Sequence, residues 1–133
     1  MSKSYGNTIP LFLTEKKLKK HINKIKTNLL EPGEPKDPDT SAVFQIWQAF
    51  ASKSQVEAMR VEFTNGIAWG EAKRQLFELI NEQLREPREK YLQLMENPEK
   101  VEAVLQQGAV KARQHSASLI AAVRSAVGIR PLG

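Results

Sequence analysis

The stretch Trp69-Gly70-Glu71-Ala72-Lys73-Arg74-Gln75-Leu76-Phe77-Glu78-Leu79-Ile80-Asn81-Glu82-Gln83-Leu84 sets Trp69, Ala72, Leu76, Leu79, Ile80 and Leu84 three and four residues apart. That spacing gathers them on one stripe of an α-helix and would scatter them over both faces of a strand, so the segment reads as an amphipathic helix. Pro87 has no amide to donate and predicts a kink before Tyr91, Leu92 and Met95. Asn97-Pro98 then offers an N-cap followed by proline at the first helical position, with Glu99 beside the positive helix end. A long fifth helix is expected from there. Its apolar positions Val101, Val104, Leu105, Ala112, Leu119, Ala122, Val123 and Ala126 keep helical spacing as far as Gly128, despite Gly108.

Upstream of Trp69, Asn65-Gly66 stops a helix that begins near Ser54 and turns Val56, Met59 and Phe63 inward. Another helix from Thr40 or Ser41 presents Val43, Phe44, Trp47, Phe50 and Ala51, and the two should form a hairpin. Glu31-Pro32-Gly33-Glu34-Pro35-Lys36-Asp37-Pro38-Asp39 holds three prolines and a glycine, and reads as an extended acidic connector. Before it, Thr14 caps a first helix with Leu18, Ile22, Ile25 and Leu29 on one face and lysines on the wider one. Residues 1–13 show no sustained period and read as a loop, with a short strand around Thr8 to Phe12 the one competitor to an all-helical chain. The expectation is an all-α helical bundle over residues 14–133, preceded by an irregular loop and linker over 1–13.

A chain of 133 residues, 41% of them apolar, is long enough for one compact core. Cysteine is absent, which removes disulfides, thiolate catalysis and Cys-based zinc sites, and points to the cytoplasm. The apolar run Ile9 to Leu13 is too short for a signal peptide or a membrane span, so no membrane partner is expected. Charge is unevenly distributed. Residues 14–30 set six lysines against Glu15, a local +5, and residues 31–40 set four acids against Lys36, a local −3. A polyanion would meet an attractive surface beside a repulsive one, which favours oriented docking.

Lys3, flanked by Ser2 and Ser4 and followed by Gly6-Asn7, can direct an ammonium and several hydroxyl donors at one phosphate chain. Met1-Ser2-Lys3-Ser4 resembles the Lys-Met-Ser-Lys-Ser signature of class I aminoacyl-tRNA synthetases without its first lysine. Trp69-Gly70-Glu71-Ala72-Lys73, Leu84-Arg85-Glu86-Pro87-Arg88-Glu89-Lys90, Gly108-Ala109-Val110-Lys111-Ala112-Arg113 and the ending Ala121 to Gly128 are similar to the C-terminal region of bacterial tryptophanyl-tRNA synthetases. The resemblance covers nearly the whole chain. It implies that Lys3 stabilises the charge that develops when the amino acid carboxylate attacks the α-phosphate of ATP, and that Ser2, Lys3 and Ser4 hold the ATP phosphates. It also implies a helical anticodon-binding domain, ATP delivered with Mg as a substrate complex, tRNA(Trp) as partner, and a homodimeric intact enzyme. The first class I signature and a nucleotide-binding α/β domain are not found in these residues. The chain is therefore expected to be a fragment, inactive and without a bound cofactor alone, that meets tryptophan and ATP only with the catalytic domain. The proline-rich connector departs from the family's pattern, where many members have a shorter turn.

The lysines of the first helix have three readings: a solvated face of a core helix, an RNA-facing surface, or a membrane-surface helix, the last lacking aromatic anchors. As tRNA contacts the candidates are Lys16, Lys17, Lys20 and Lys24, with Lys111 and Arg113 further on. Trp47 and Trp69 share apolar helical faces with Phe44, Phe50 and Leu76 and are expected in the core. His21 and His115 have no partner at ligand spacing, so no metal is expected. Two other functions compete: a free-standing helical RNA-binding module without catalysis, whose tRNA affinity would not depend on Lys3, and a helical interaction protein with no tRNA affinity at low salt.

Overall fold

The structure, a computed structural model, describes residues 8–129. Its elements are α1 (Glu15–Asn23), α2 (Ala42–Phe50), α3 (Lys53–Thr64), α4 (Trp69–Glu96) and α5 (Pro98–Ala126). Among the described residues there is no strand. The short strand considered around Thr8 to Phe12 is replaced by a turn at Leu11 and Phe12, since Pro10 offers no donor to a ladder. The chain divides into two compact units, Met1–Tyr91 and Leu92–Gly133.

In the first unit four helices contribute to one core: Leu18 and Ile22 from α1, Val43, Phe44 and Trp47 from α2, Met59 and Phe63 from α3, and Ala72, Leu76 and Ile80 from α4. Phe63 meets both Phe44 and Trp69 edge-on, with ring centroids 5.3 and 5.7 Å apart. Such geometry sets ring edge against ring face and adds to the burial energy. Trp47 is buried and its indole N–H donates to the Gln55 carbonyl at 3.3 Å; Trp69 is partly buried, and its N–H reaches Asn28 Oδ1 at 3.0 Å. Both tryptophans thus pack as the periodicity predicts, each with its polar atom satisfied.

The helix starts follow local chemistry. Ser41 accepts the Phe44 amide at 3.3 Å, and Ser52 and Gln55 form a reciprocal capping box at the start of α3. Gly66, at φ +84°, ends α3 in the left-handed region. Pro98 sits in the first turn of α5, although Asn97 makes no side-chain cap and donates instead to the Gln93 carbonyl at 2.7 Å. The helix α4 continues through the exposed Pro87 to Glu96. The Gln83 carbonyl loses its usual partner there, which proline cannot supply.

Two further expectations fail. The first helix ends at Asn23, although Ile25 and Leu29 extend its apolar period; Ile25 packs from the following turn and Leu29 is 98% exposed. Asn28 is the competitor: its Oδ1 accepts from both the Leu30 amide and the Trp69 indole, fixing a turn where helix would otherwise run. The acidic connector is not an extended separator either. The Gly33 amide donates to the Gly66 carbonyl at 2.8 Å and the Lys36 amide to the Phe63 carbonyl at 2.9 Å, so the connector closes over the end of α3. A Cβ on Gly66 would stand 2.3 Å from the Gly33 carbonyl carbon, a contact only glycine permits.

The second unit holds the last residues of α4 and all of α5. No side chain of α5 is buried, and Val104, Leu105, Leu119 and Val123 of its apolar stripe are exposed.

Candidate nucleic-acid interface

The basic surface foreseen in the sequence is carried by α1, whose nine residues are too few to hold a helix in water alone. Packing holds it. Leu18 and Ile22 have no exposure, and the Thr14 carbonyl takes the Leu18 amide at 2.8 Å, although the Thr14 side chain makes no cap. The helix α4 grips both ends. At the start Asn81 Nδ2 donates to Glu15 Oε1; at the finish Lys73 Nζ donates to the Asn23 carbonyl at 3.1 Å. Burial pushes the Lys73 ammonium below the usual lysine range.

Lys16, Lys17, Lys20 and Lys24 are all exposed. Lys16, Lys17 and Lys20 lie on α1 and Lys24 is its C-cap, still in the helical region; at 100° per residue the four fall within an arc of roughly 100°, opposite Leu18 and Ile22. The structure brings these four together. None of the four ion pairs among the described residues involves a lysine of α1. Lys19 is set apart, its Nζ 5.7 Å from the centroid of Phe77. Among the described residues the ammonium groups of this arc enter no ion pair, an arrangement suited to a row of phosphates and indifferent to base identity.

Lys111 and Arg113 are exposed on α5, in the other unit. Two residues apart on a helix, they point to different sides and do not make one patch. Ser2, Lys3 and Ser4 lie outside the described residues. Among the described residues no group of three or more His, Asp or Glu side chains could hold a metal ion, and no helix is long and apolar enough to cross a membrane.

Two cations were not foreseen. Lys36, which the sequence offers only as the one cation among the connector's four acids, is 2% exposed. Its Nζ donates to the Glu31 and Glu34 carbonyls at 2.8 and 3.0 Å and stands 5.6 Å from the Trp69 ring centroid. Arg60 lies 5.0 Å over the Phe44 ring and grips Asp39 with two hydrogen bonds, 2.9 and 3.2 Å, holding that carboxyl below its ordinary range. No spacing rule links Arg60 to Asp39, twenty-one residues away.

Comparison with known proteins sets this helical chain beside the tRNA ligases. Tryptophan–tRNA ligase from Neisseria meningitidis is 52% identical over 132 residues, which are 99% of this chain and 39% of the ligase; that from Pseudomonas aeruginosa is 51% identical over 132 residues, 99% of this chain and 30% of the ligase. The crystal structure of tryptophanyl-tRNA synthetase from Campylobacter jejuni complexed with ADP and tryptophan superposes with a TM-score of 0.91 at 36% identity, covering 96% of this chain and 40% of that one. No family model matches. Over nearly its whole length the chain is similar to a helical part of bacterial tryptophan–tRNA ligases, spanning 30 to 39% of the length of those two relatives.

Proposed function

We propose that the chain serves ATP-dependent charging of tRNA with tryptophan, supplying the ATP-phosphate segment at Lys3 and the helices that hold the anticodon arm. What supports this is similarity that runs through 99% of the chain at 52% identity. Residues 1–13 act as the signature loop and linker, and residues 14–133 as the anticodon-binding part. Lys3 would place its ammonium on the ATP phosphates as negative charge grows at the α-phosphate, with the Ser2 and Ser4 hydroxyls as hydrogen-bonding neighbours; this is stabilisation by position and charge, without covalent chemistry. The lysine arc of α1 would neutralise backbone phosphates and set the tRNA's orientation, leaving base reading to contacts with unpaired anticodon bases. The reading carries with it Mg-bound ATP as substrate, tRNA(Trp) as partner, a homodimeric intact enzyme and a cytoplasmic location.

The test is tryptophan-dependent pyrophosphate exchange by the full-length ligase that carries this sequence. Lys3→Ala should slow exchange by roughly two orders of magnitude, the usual cost of removing one preorganised charge partner from a transition state. Unchanged exchange in that variant would overturn the role given to Lys3.

A further inference from the structure

The segment that follows α1, from Lys24 to Leu29, is tied to α4 at two points. Lys73 Nζ donates to the Asn23 carbonyl at 3.1 Å and the Trp69 indole N–H to Asn28 Oδ1 at 3.0 Å. Trp69 and Lys73 are four residues apart, so both ties fall on one side of α4. Within the segment the Lys24 and Ile25 amides donate to the His21 and Ile22 carbonyls, and the Leu30 amide to Asn28 Oδ1. Ile25 turns to the core, while Lys24, Lys26 and Leu29 are exposed. Leu29 is the extreme case: it is 98% exposed, where the next of the large apolar side chains in the described residues reaches 67%. In a loose loop a leucine can settle on apolar neighbours. Here the turn at Asn28 holds it out in water, close in sequence to two lysines that enter no ion pair among the described residues.

We propose that Lys24, Lys26 and Leu29 form a subsite for one unpaired nucleotide of the bound tRNA, the lysines meeting phosphate and Leu29 covering the face of the base. This deepens the tRNA-facing role proposed above for α1 and rests on it. The case is one of charge. The arc of Lys16, Lys17, Lys20 and Lys24 ends at this segment, and Lys26 carries it one step further. Glu31 and Glu34, both exposed, follow two and five residues after Leu29. A phosphate that tracks the lysines is repelled beyond Lys26, so the part of a nucleotide that can continue toward the acids is its uncharged base. An apolar side chain stands at that border. Three residues span at most about 11 Å, which keeps Leu29 near whatever Lys26 binds. A paired base has its faces hidden in the helical stack, whereas an unpaired one can lay a face on the protein. Leucine has no hydrogen-bonding group, so the subsite adds affinity and leaves base identity unread.

The experiment measures filter binding of a tRNA(Trp) transcript, and of a fully paired RNA duplex, to the full-length ligase that carries this sequence. The variants are Leu29→Ala, Leu29→Phe, Lys26→Gln, and the glutamine replacement of Lys16, Lys17, Lys20 and Lys24. Leu29→Ala should weaken tRNA binding by roughly five- to tenfold, the low end of what losing one base contact costs, and leave the log–log salt slope as it is. Leu29→Phe offers a base a wider face and should bind at least as tightly as the parent. Lys26→Gln should weaken binding and flatten the slope by about 0.7–0.9, the share of one phosphate. Duplex binding should ignore Leu29 and still respond to Lys26. The urea midpoint of Leu29→Ala should match the parent's, because the side chain lies in water. Parental tRNA binding by Leu29→Ala would overturn the subsite, as would an equal loss on the duplex, whose bases are stacked inside. A lowered urea midpoint in Leu29→Ala would overturn it too, marking a leucine that protein covers in the intact ligase. Each of these leaves the lysine arc standing. An unaltered salt slope in the four-lysine variant would overturn both.

Discussion

Gly33→Ala and Gly66→Ala should separate backbone strain from backbone contact in one experiment. Both glycines have positive φ, +89° and +84°, so either alanine meets the left-handed penalty of about 1–2 kcal/mol. Their surroundings differ. A Cβ at Gly33 touches nothing within 4 Å, whereas one at Gly66 falls 2.3, 2.6 and 2.7 Å from three backbone atoms of Gly33. Backbone cannot swing aside as a side chain can. The connector would have to lift, giving up the Gly33–Gly66 and Lys36–Phe63 amide–carbonyl bonds at 2.8 and 2.9 Å, for about 1 kcal/mol each. Gly66→Ala should therefore cost about 3–4 kcal/mol and Gly33→Ala about 1–2 kcal/mol. Trp47 and Trp69 both lie in the first unit, so tryptophan fluorescence in urea follows its unfolding alone. At an m-value of roughly 1–2 kcal/mol/M the two midpoints should stand about 1–2 M apart. Midpoints that coincide would refute the close approach of connector and turn.

Lys36→Ala should destabilise the first unit by about 2 kcal/mol, measured by the same urea titration, because two carbonyls lose their donor and Trp69 its cation; a change below about 0.5 kcal/mol would show the ammonium to be idle. Replacing Lys16, Lys17, Lys20 and Lys24 by glutamine should weaken tRNA binding and flatten the log–log salt dependence by about 0.7–0.9 for each phosphate no longer neutralised, as read by filter binding at several salt concentrations. An unaltered slope would remove α1 from the interface. Glu71 is held at about 2 instead of 4.5, first by its hydrogen bond from Arg74 and then by that from Gln75. A depressed carboxyl contributes stability that is complete above its ordinary value and lost as pH falls from about 4.5 toward 2. The pair is exposed, so the effect should shrink in high salt. The difference in urea midpoint between the parent and Glu71→Gln should therefore narrow across that window, and parallel curves would contradict the assignment.

Much of the fold is legible in the sequence because it depends on period and capping alone. Trp69–Glu96 and Pro98–Ala126 repeat apolar residues at three and four, and Ser41, Ser52 and Gly66 mark the ends of α2 and α3 by chemistry confined to one turn. What is illegible depends on partners far along the chain. The end of α1 is decided by Asn28, whose acceptor oxygen is claimed by Trp69, forty-one residues away, against a period that Ile25 and Leu29 would have continued. Lys36 is hidden for a related reason: its partners are main-chain carbonyls and a ring, which carry no charge signature in the sequence. The lysine arc is legible, since only helical spacing is needed to put Lys16, Lys17, Lys20 and Lys24 on one side. The separation of Lys111 from Arg113 is legible by the same rule, since two residues apart on a helix point to different sides.

The helix α1 is a local choice at odds with its own stability. Lys16 and Lys17 occupy its first turn, where the helix dipole disfavours cations, and Lys16–Lys20 and Lys20–Lys24 repel at four-residue spacing. Each effect is worth only a few tenths of a kcal/mol, yet both have the same sign, and nine residues give little in return. Stability is imported from α4, through Lys73 at one end and Asn81 at the other, and from Leu18 and Ile22 in the core. A sequence selected only to fold would place acids among those lysines. It sets them instead on a helix held by its neighbours, with their ammonium groups outside every ion pair among the described residues, the disposition that the proposed tRNA-facing role would use.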